Sequence, residues 1–263
     1  MAIMSHIVEE GHGRGRGHVS HGKGKGKGHD KHAADAMADG VYTIEISGID
    51  HDNPGAFQAT PPTTLADGTQ MNTEVTQGSI TIEDAPGGHD AALHLVTDSN
   101  SGRLRVNDIY DADNQIRLGD LDTLNFDYFI ESASQDNQIP VIRLFIDADG
   151  NLATTNDRGE LVFEWAYQGF GDTTLGVWSE ADLVGDDWVA WQRSFGMNRD
   201  QIINMTEFSD WSDADGFTPA GGLNFNEDSL VLGWSIASGS GNGTNSFFLD
   251  DLTIGGVTYE FTA

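Results

Sequence analysis

From Gly40 onward the chain alternates apolar and polar residues with a period of two, and helical periodicity is almost absent. Residues 41–46 (VYTIEI), 79–83 (SITIE) and 92–96 (ALHLV) alternate in this way. So do 124–130 (LNFDYFI) and 141–146 (VIRLFI), the two strongest segments. Residues 104–106, 161–165, 188–191, 230–236, 247–249 and 257–261 add further short strand candidates. Turn chemistry separates them: Asp52-Asn53-Pro54-Gly55, Pro86-Gly87-Gly88, Asp149-Gly150-Asn151 and the Ser/Gly-rich run 238–243. A strand buries only one face, so many short strands must stack as two sheets. The pattern predicts an all-β fold, a single jelly-roll-type β-sandwich over residues 40–263. One weak helical turn is expected within residues 197–208, centred on 198–203 (NRDQII). No repeat of fixed period breaks the domain.

Charge limits the partners. Asp and Glu number 42 against 13 Lys and Arg, a net charge of −29, and no Lys follows Lys31. A body this acidic repels itself at low ionic strength and suits saline or calcium-rich surroundings. It is not expected to bind nucleic acid. Cys is absent, which excludes disulfides, thiolate metal sites and a Cys nucleophile. No apolar run is long enough for a transmembrane helix.

Residues 1–39 read as a separate arm. Within it, Gly alternates with His, Arg and Lys, a composition that buries almost nothing and orders only in an assembly. Its cations Arg14, Arg16, Lys23, Lys25 and Lys27 are suited to dock on a neighbour's acidic body. His6, His12, His18, His21, His29 and His32 offer a transition-metal tether, against the plainer reading of a solvated arm. The arm lacks the apolar stretch of a secretory signal. An extracellular location therefore implies a leaderless route or a trimmed leader.

Three stretches in order carry a resemblance: residues 142–150 (IRLFIDADG), 161–167 (LVFEWAY), and Gly239-Ser240-Gly241-Asn242 followed by 248–255 (FLDDLTIG). Over residues 90–256 the chain resembles secreted bacterial jelly-roll modules, similar to carbohydrate-binding and galactose-binding-like sandwiches. The resemblance implies fold and an extracellular or cell-surface location more than activity. It also implies that a carboxylate at the place of Asp250 ligates a structural Ca²⁺ with groups near the start of the domain.

Asp147, Asp149 and Asn151 place oxygen ligands at alternate positions on a tight turn, as a Ca²⁺ loop requires. The spacing is not that of an EF-hand, and Asp and Asn are also plain turn formers. Asp108, Asp111 and Asp113, and Asp210, Asp213 and Asp215, have the same character. Regular strand alternation puts Phe248, Asp250, Leu252 and Ile254 on one face and Leu249, Asp251 and Thr253 on the other. Asp250 then lies among core-like residues and needs a partner; with bases so scarce, Ca²⁺ fits, with Asp251 beside it.

Six Trp fall between residues 165 and 234, and most belong in the core. Trp178, Trp188 and Trp211 are the candidates for an exposed platform that stacks on sugar rings; Trp188 and Trp191 differ in parity and so face opposite ways. His89, Asp90 and His94 read as a turn followed by one strand His. No nucleophile, zinc or phosphate-loop motif appears, and no spaced carboxylate array marks a glycosidase. The sequence thus predicts a non-enzymatic, calcium-stabilised extracellular protein that assembles with itself into a surface, matrix or filament structure through its arm. The alternatives are a carbohydrate-binding module that recognises extracellular polysaccharide through exposed Trp, and a polysaccharide hydrolase or lyase on the same fold.

Overall fold

A computed structural model describes residues 40–45, 63–64, 70–89, 91–110, 115–154, 156–185, 187–194, 205–238 and 243–262. The five arm cations, the six tail His, Asp111, Asp113 and the 198–203 segment lie outside the described residues. The described chain is almost entirely β, in two sheets that form a sandwich. The first sheet contains β1 (Gly40–Glu45), β4 (Gly78–Glu83), β5 (Ala92–Thr97), β8 (Leu124–Ala133), β11 (Trp178–Asp182), β15 (Asn245–Ile254) and β16 (Val257–Thr262). The second contains β2 (Thr63–Thr64), β3 (Gln70–Thr76), β6 (Arg103–Ile109), β7 (Ile116–Arg117), β9 (Val141–Asp147), β10 (Arg158–Phe163), β12 (Val189–Ser194), β13 (Met205–Glu207) and β14 (Leu230–Ser238). Pairing is antiparallel except between β1 and β16.

Each sheet is organised by one long strand. In the first, β15 pairs with β8 along one edge and with β5 and then β16 along the other. In the second, β14 pairs with β9 on one edge and with β6 and β7 on the other. Alternation sends Phe126, Ile130, Phe247 and Leu249 inward from the first sheet, where they share one core with Ile142, Leu144, Phe163 and Trp234 from the second. Trp234 and Tyr259 meet edge to face across this core, with centroids 5.0 Å apart.

Among the described residues one α-helix forms, α1 (Phe208–Ser212), where Phe208 and Trp211 are buried. Among the described residues no helix is long and apolar enough to cross a membrane.

Candidate functional site

Of the expected site residues, Trp178, Asp250 and Asp251 come together on the outer face of the first sheet, while Asp147, Asp149 and Asn151 lie on the turn after β9. The register aligns two rows across its strands. His94 of β5 stands opposite Phe248 of β15, Phe248 opposite Phe129 of β8, and Phe129 opposite Trp178 of β11. One step along, Asp250 stands opposite Asp127, and Asp127 opposite Glu180. An aromatic row thus runs beside a carboxylate row. Like charges directly opposite on adjacent strands repel, so the second row costs stability.

A β-bulge completes the carboxylate side. The β15–β8 register shifts between Asp250 and Thr253, and Asp251 has a φ of 49°. Asp is among the few side chains that tolerate this left-handed conformation. The shift corrects the regular alternation expected for this strand. Leu249 and Leu252, three residues apart, both belong to the inner core, while Asp250 faces outward beside Asp251. Ligand atoms of His89, Asp250 and Asp251 lie within 4.8 Å of one another.

His89 arrives from the Pro86-Gly87-Gly88 turn. Gly87 has a φ of 79° and packs over the Trp178 indole, where a Cβ would sit 3.0 Å from Cδ1. The indole Nε1–H donates to the Pro86 carbonyl. The His89 ring stacks on Trp178 with centroids 3.8 Å apart, and its Nδ1 lies 2.9 Å from Asp250 Oδ2. The partner that the scarcity of bases led us to seek in a metal is, for Asp250, first of all this imidazole. One imidazole and two carboxylates form a donor set closer to Zn²⁺ or Mn²⁺ chemistry than to the all-oxygen shell of Ca²⁺.

The other end of the face is built the same way. His94 stacks on Phe248 at 4.0 Å, its Nδ1 meets Glu83, and its Nε2 lies 2.7 Å from Ser246 Oγ. Ser246 donates in turn to Glu131 Oε2 at 2.7 Å. Because that hydroxyl gives its proton to Glu131, His94 Nε2–H is the donor to Ser246. Sequence reasoning left both histidines as turn and strand residues. The signal for His94 was its place between Leu93 and Leu95, which alternation turns outward.

Burial raises the Asp127 pKa, and the neighbouring charges of Asp251 and Glu180 raise it further. Burial also raises that of Asp250, against the lowering effect of the His89 hydrogen bond. Perturbed carboxylates gathered beside a histidine on one sheet face are the kind of cluster that functional sites carry.

The expected Trp platform needs correction. Trp188 is 2% exposed and Trp211 fully buried, so neither offers a face to a sugar. Trp188 is covered edge-on by Trp165 and by the exposed Phe170, and Trp211 packs against Phe217 at 4.8 Å. Trp178 is half-buried, with one face under His89. Trp191 does face away from Trp188, but it too is buried, with Val141, Val162 and Ala237. Core volume takes these rings because nothing else in the chain fills it as well.

The acidic turn after β9 brings Asp147, Asp149 and Asp157 within ligand distance of one another. Asp147, fully buried, accepts from Asn151 N–H at 3.1 Å and from Arg158 Nε at 3.0 Å. Asp149 accepts from the same Asn151 N–H at 2.8 Å and from the Thr154 hydroxyl. Asn151 Oδ1 itself accepts from Ala153 N–H, so the loop's own donors occupy much of the oxygen set. The buried Asp157 Oδ1 has no hydrogen-bond partner and is the oxygen most open to a cation. Asp210, Asp213 and Asp215 form no such group among the described residues, and Asp108 points into the core.

No known family profile and no curated protein matches this chain. Among solved structures, it is similar to a beta-1,2-glucanase from Parabacteroides distasonis, at 14% identity over 70% of this chain and a TM-score of 0.32. It spans 22% of that enzyme's length. It is also similar to TmCBM61 in complex with beta-1,4-galactotriose, at 10% identity over 68% of this chain and 86% of the other, with a TM-score of 0.27. Neither likeness carries an activity over to this chain.

Proposed function

We propose that this protein is a non-catalytic carbohydrate-binding β-sandwich whose ligand face is the outer face of the first sheet. One observation carries the proposal: the carboxylate row Asp250, Asp127 and Glu180 runs beside the row His94, Phe248, Phe129 and Trp178, with His89 bridging the two. Fixed carboxylate oxygens accept the hydroxyls of a neutral sugar, and the flat outer faces of His89 and His94 meet its C–H surface. The side chains are already oriented by stacking and hydrogen bonding, so little freedom is lost on binding.

Secretion, calcium and assembly through Arg14, Arg16, Lys23, Lys25 and Lys27 remain part of the proposal only as the sequence's expectations. The described residues lend the binding reading more support than the assembly reading. Ca²⁺, if held, belongs on Asp147, Asp149 and Asp157.

Affinity electrophoresis through gels containing neutral polysaccharides tests the reading. The native chain is retarded by at least one of them, and His89→Ala and Asp127→Asn each reduce the retardation without release of reducing ends. Unchanged migration of both variants contradicts the proposed face; new reducing ends contradict a purely binding role.

A further inference from the structure

On a regular strand consecutive side chains point to opposite faces, so two adjacent aspartates do not serve one ligand. The bulge in β15 removes that limit. With Asp251 at a φ of 49°, Asp250 and Asp251 both reach the outer side of the first sheet. The third member comes from far away in sequence. His89 is set by the 86–88 turn, its ring stacked on Trp178 and the turn itself tied to that indole through the Pro86 carbonyl. These contacts fix the imidazole without help from the carboxylates, so two independently built segments bring the three side chains together.

The spacing is that of donors around one small ion. Zn²⁺ binds nitrogen and carboxylate oxygen at roughly 2.0–2.2 Å, so two donors at tetrahedral or octahedral angles stand roughly 2.9–3.5 Å apart. His89 Nδ1 and Asp250 Oδ2 are 2.9 Å apart. Each of the three residues offers a ligand atom within 4.8 Å of the other two, and Asp251, exposed on the bulge, closes that gap by turning its own side chain. Asp127 stands opposite Asp250 in the register and supplies a further carboxylate.

Charge asks for the same occupant. Asp250, Asp251, Asp127 and Glu180 gather here, and among the described residues no Lys or Arg pairs with any of them; the arginine pairs are made elsewhere, with Asp228, Asp147 and Glu160. The Asp250 side chain is 12% exposed, and its ion-pair partner is His89. A carboxylate this shielded is held by a cation or a metal. The resemblance to jelly-roll modules implies Ca²⁺ at Asp250, and the residues present do not fit it. Ca²⁺ takes about six to eight oxygens, whereas the side-chain atom nearest Asp250 Oδ2 is a ring nitrogen. One imidazole with carboxylates suits Zn²⁺, and the chain has no Cys to compete for it. With the His89 side chain 23% exposed and Asp251 open to solvent, water completes the shell and the ion has a way in.

We propose that His89, Asp250 and Asp251 form a divalent transition-metal site, filled by Zn²⁺, with Asp127 beside it as a further carboxylate ligand. Nδ1 of His89 binds the ion as a neutral imidazole, so the proton it shares with Asp250 is released to solvent as the ion enters. By cancelling charge along the carboxylate row, the ion also relieves the repulsion between β15 and β8. The assignment stands on these four side chains and does not depend on what the face binds besides the ion.

The test is a Zn²⁺ titration of the full chain, followed by nuclear magnetic resonance at the His89 ring and at the Trp178 indole N–H that lies under it. Reading these two positions separates the site from the six histidines of residues 1–39, which offer Zn²⁺ sites of their own. Both resonances shift to saturation with Zn²⁺, while Ca²⁺ at the same concentration leaves them in place. Asp251→Asn keeps the left-handed backbone, which Asn tolerates, and weakens the Zn²⁺ response at Trp178 by at least about tenfold. Asp213→Asn removes the same charge from an exposed turn and leaves that response unchanged. His89 and Trp178 resonances unmoved at Zn²⁺ concentrations that saturate the chain, or moved equally by Ca²⁺, overturn the proposal. So does an undiminished response in Asp251→Asn. None of these readings uses a sugar, so failure here leaves the carbohydrate-binding reading standing, and failure of the gel test leaves the metal site standing.

Discussion

The two outer faces of this sandwich present opposite chemistry on the same scaffold. On the first sheet the polar groups are connected: His89 to Asp250, and His94 to Ser246 and on to Glu131. On the second, Arg143, Ser235 and Asn107 keep atoms that nothing in the described chain satisfies. One face is hydrogen-bonded and carries carboxylates in line; the other buries polar atoms that make no hydrogen bond. A closed network fixes side-chain positions before a ligand arrives, whereas buried polar atoms left without hydrogen bonds cost stability.

The contrast breaks most visibly if the aromatic row is cut. Trp178→Ala removes the ring on which His89 stacks and uncovers Phe129, and should cost about 2–4 kcal/mol in chemical denaturation. A loss near zero would mean that the first face is not packed as described.

The same substitution made on each face sharpens the comparison. Ser246→Ala breaks the His94–Ser246–Glu131 chain and should destabilise by about 1–2 kcal/mol. Ser235→Ala deletes a hydroxyl with no partner and should be neutral or stabilise by up to about 1 kcal/mol. Equal costs at both positions would erase the distinction between a satisfied face and an open one.

Charge gives smaller effects. Asp127→Asn removes one of the three carboxylates in line and should raise stability by about 0.5–1 kcal/mol while weakening neutral-sugar binding. The pH dependence has the same origin. The folded pKa values of Asp127 and Asp250 lie above the ordinary Asp value near ~3.9, so the native state holds protons that the unfolded state has released. Their contribution therefore falls as pH rises from that value through the folded pKa, and the penalty is complete above the folded pKa. Asp127→Asn should flatten this part of the stability–pH curve, as read from melting temperatures. The smallest expected effect is that of millimolar Ca²⁺, a rise in melting temperature lost in Asp157→Asn; no rise would leave the acidic turn held by Arg158 and its own hydrogen bonds.

Much of this was legible in the residues. Alternation in residues 124–130 and 141–146 is realised in β8 and β9, and it correctly turns Asp127, Phe129 and Arg143 outward. The polar segments QMNTEVT and WSEAD gave no apolar rhythm, yet they form β3 and β11 because the neighbouring β6 and β8 supply the pairing. The bulge at Asp251 could not be read, since one residue in a left-handed conformation inverts the alternation on which the reading depended. Trp188 and Trp211 were misjudged as platforms because parity tells which sheet face a ring takes and not what covers it. The arginines carried a signal from the start: their scarcity made the position of each one informative.

The most direct test of the first face as the ligand face is a titration of the native chain with a neutral oligosaccharide found in the gel screen, followed at the Trp178 indole N–H resonance. The account predicts that this resonance shifts to saturation with the affinity read by calorimetry, and that His89→Ala weakens both together. A Trp178 resonance unmoved at saturating ligand would contradict the account.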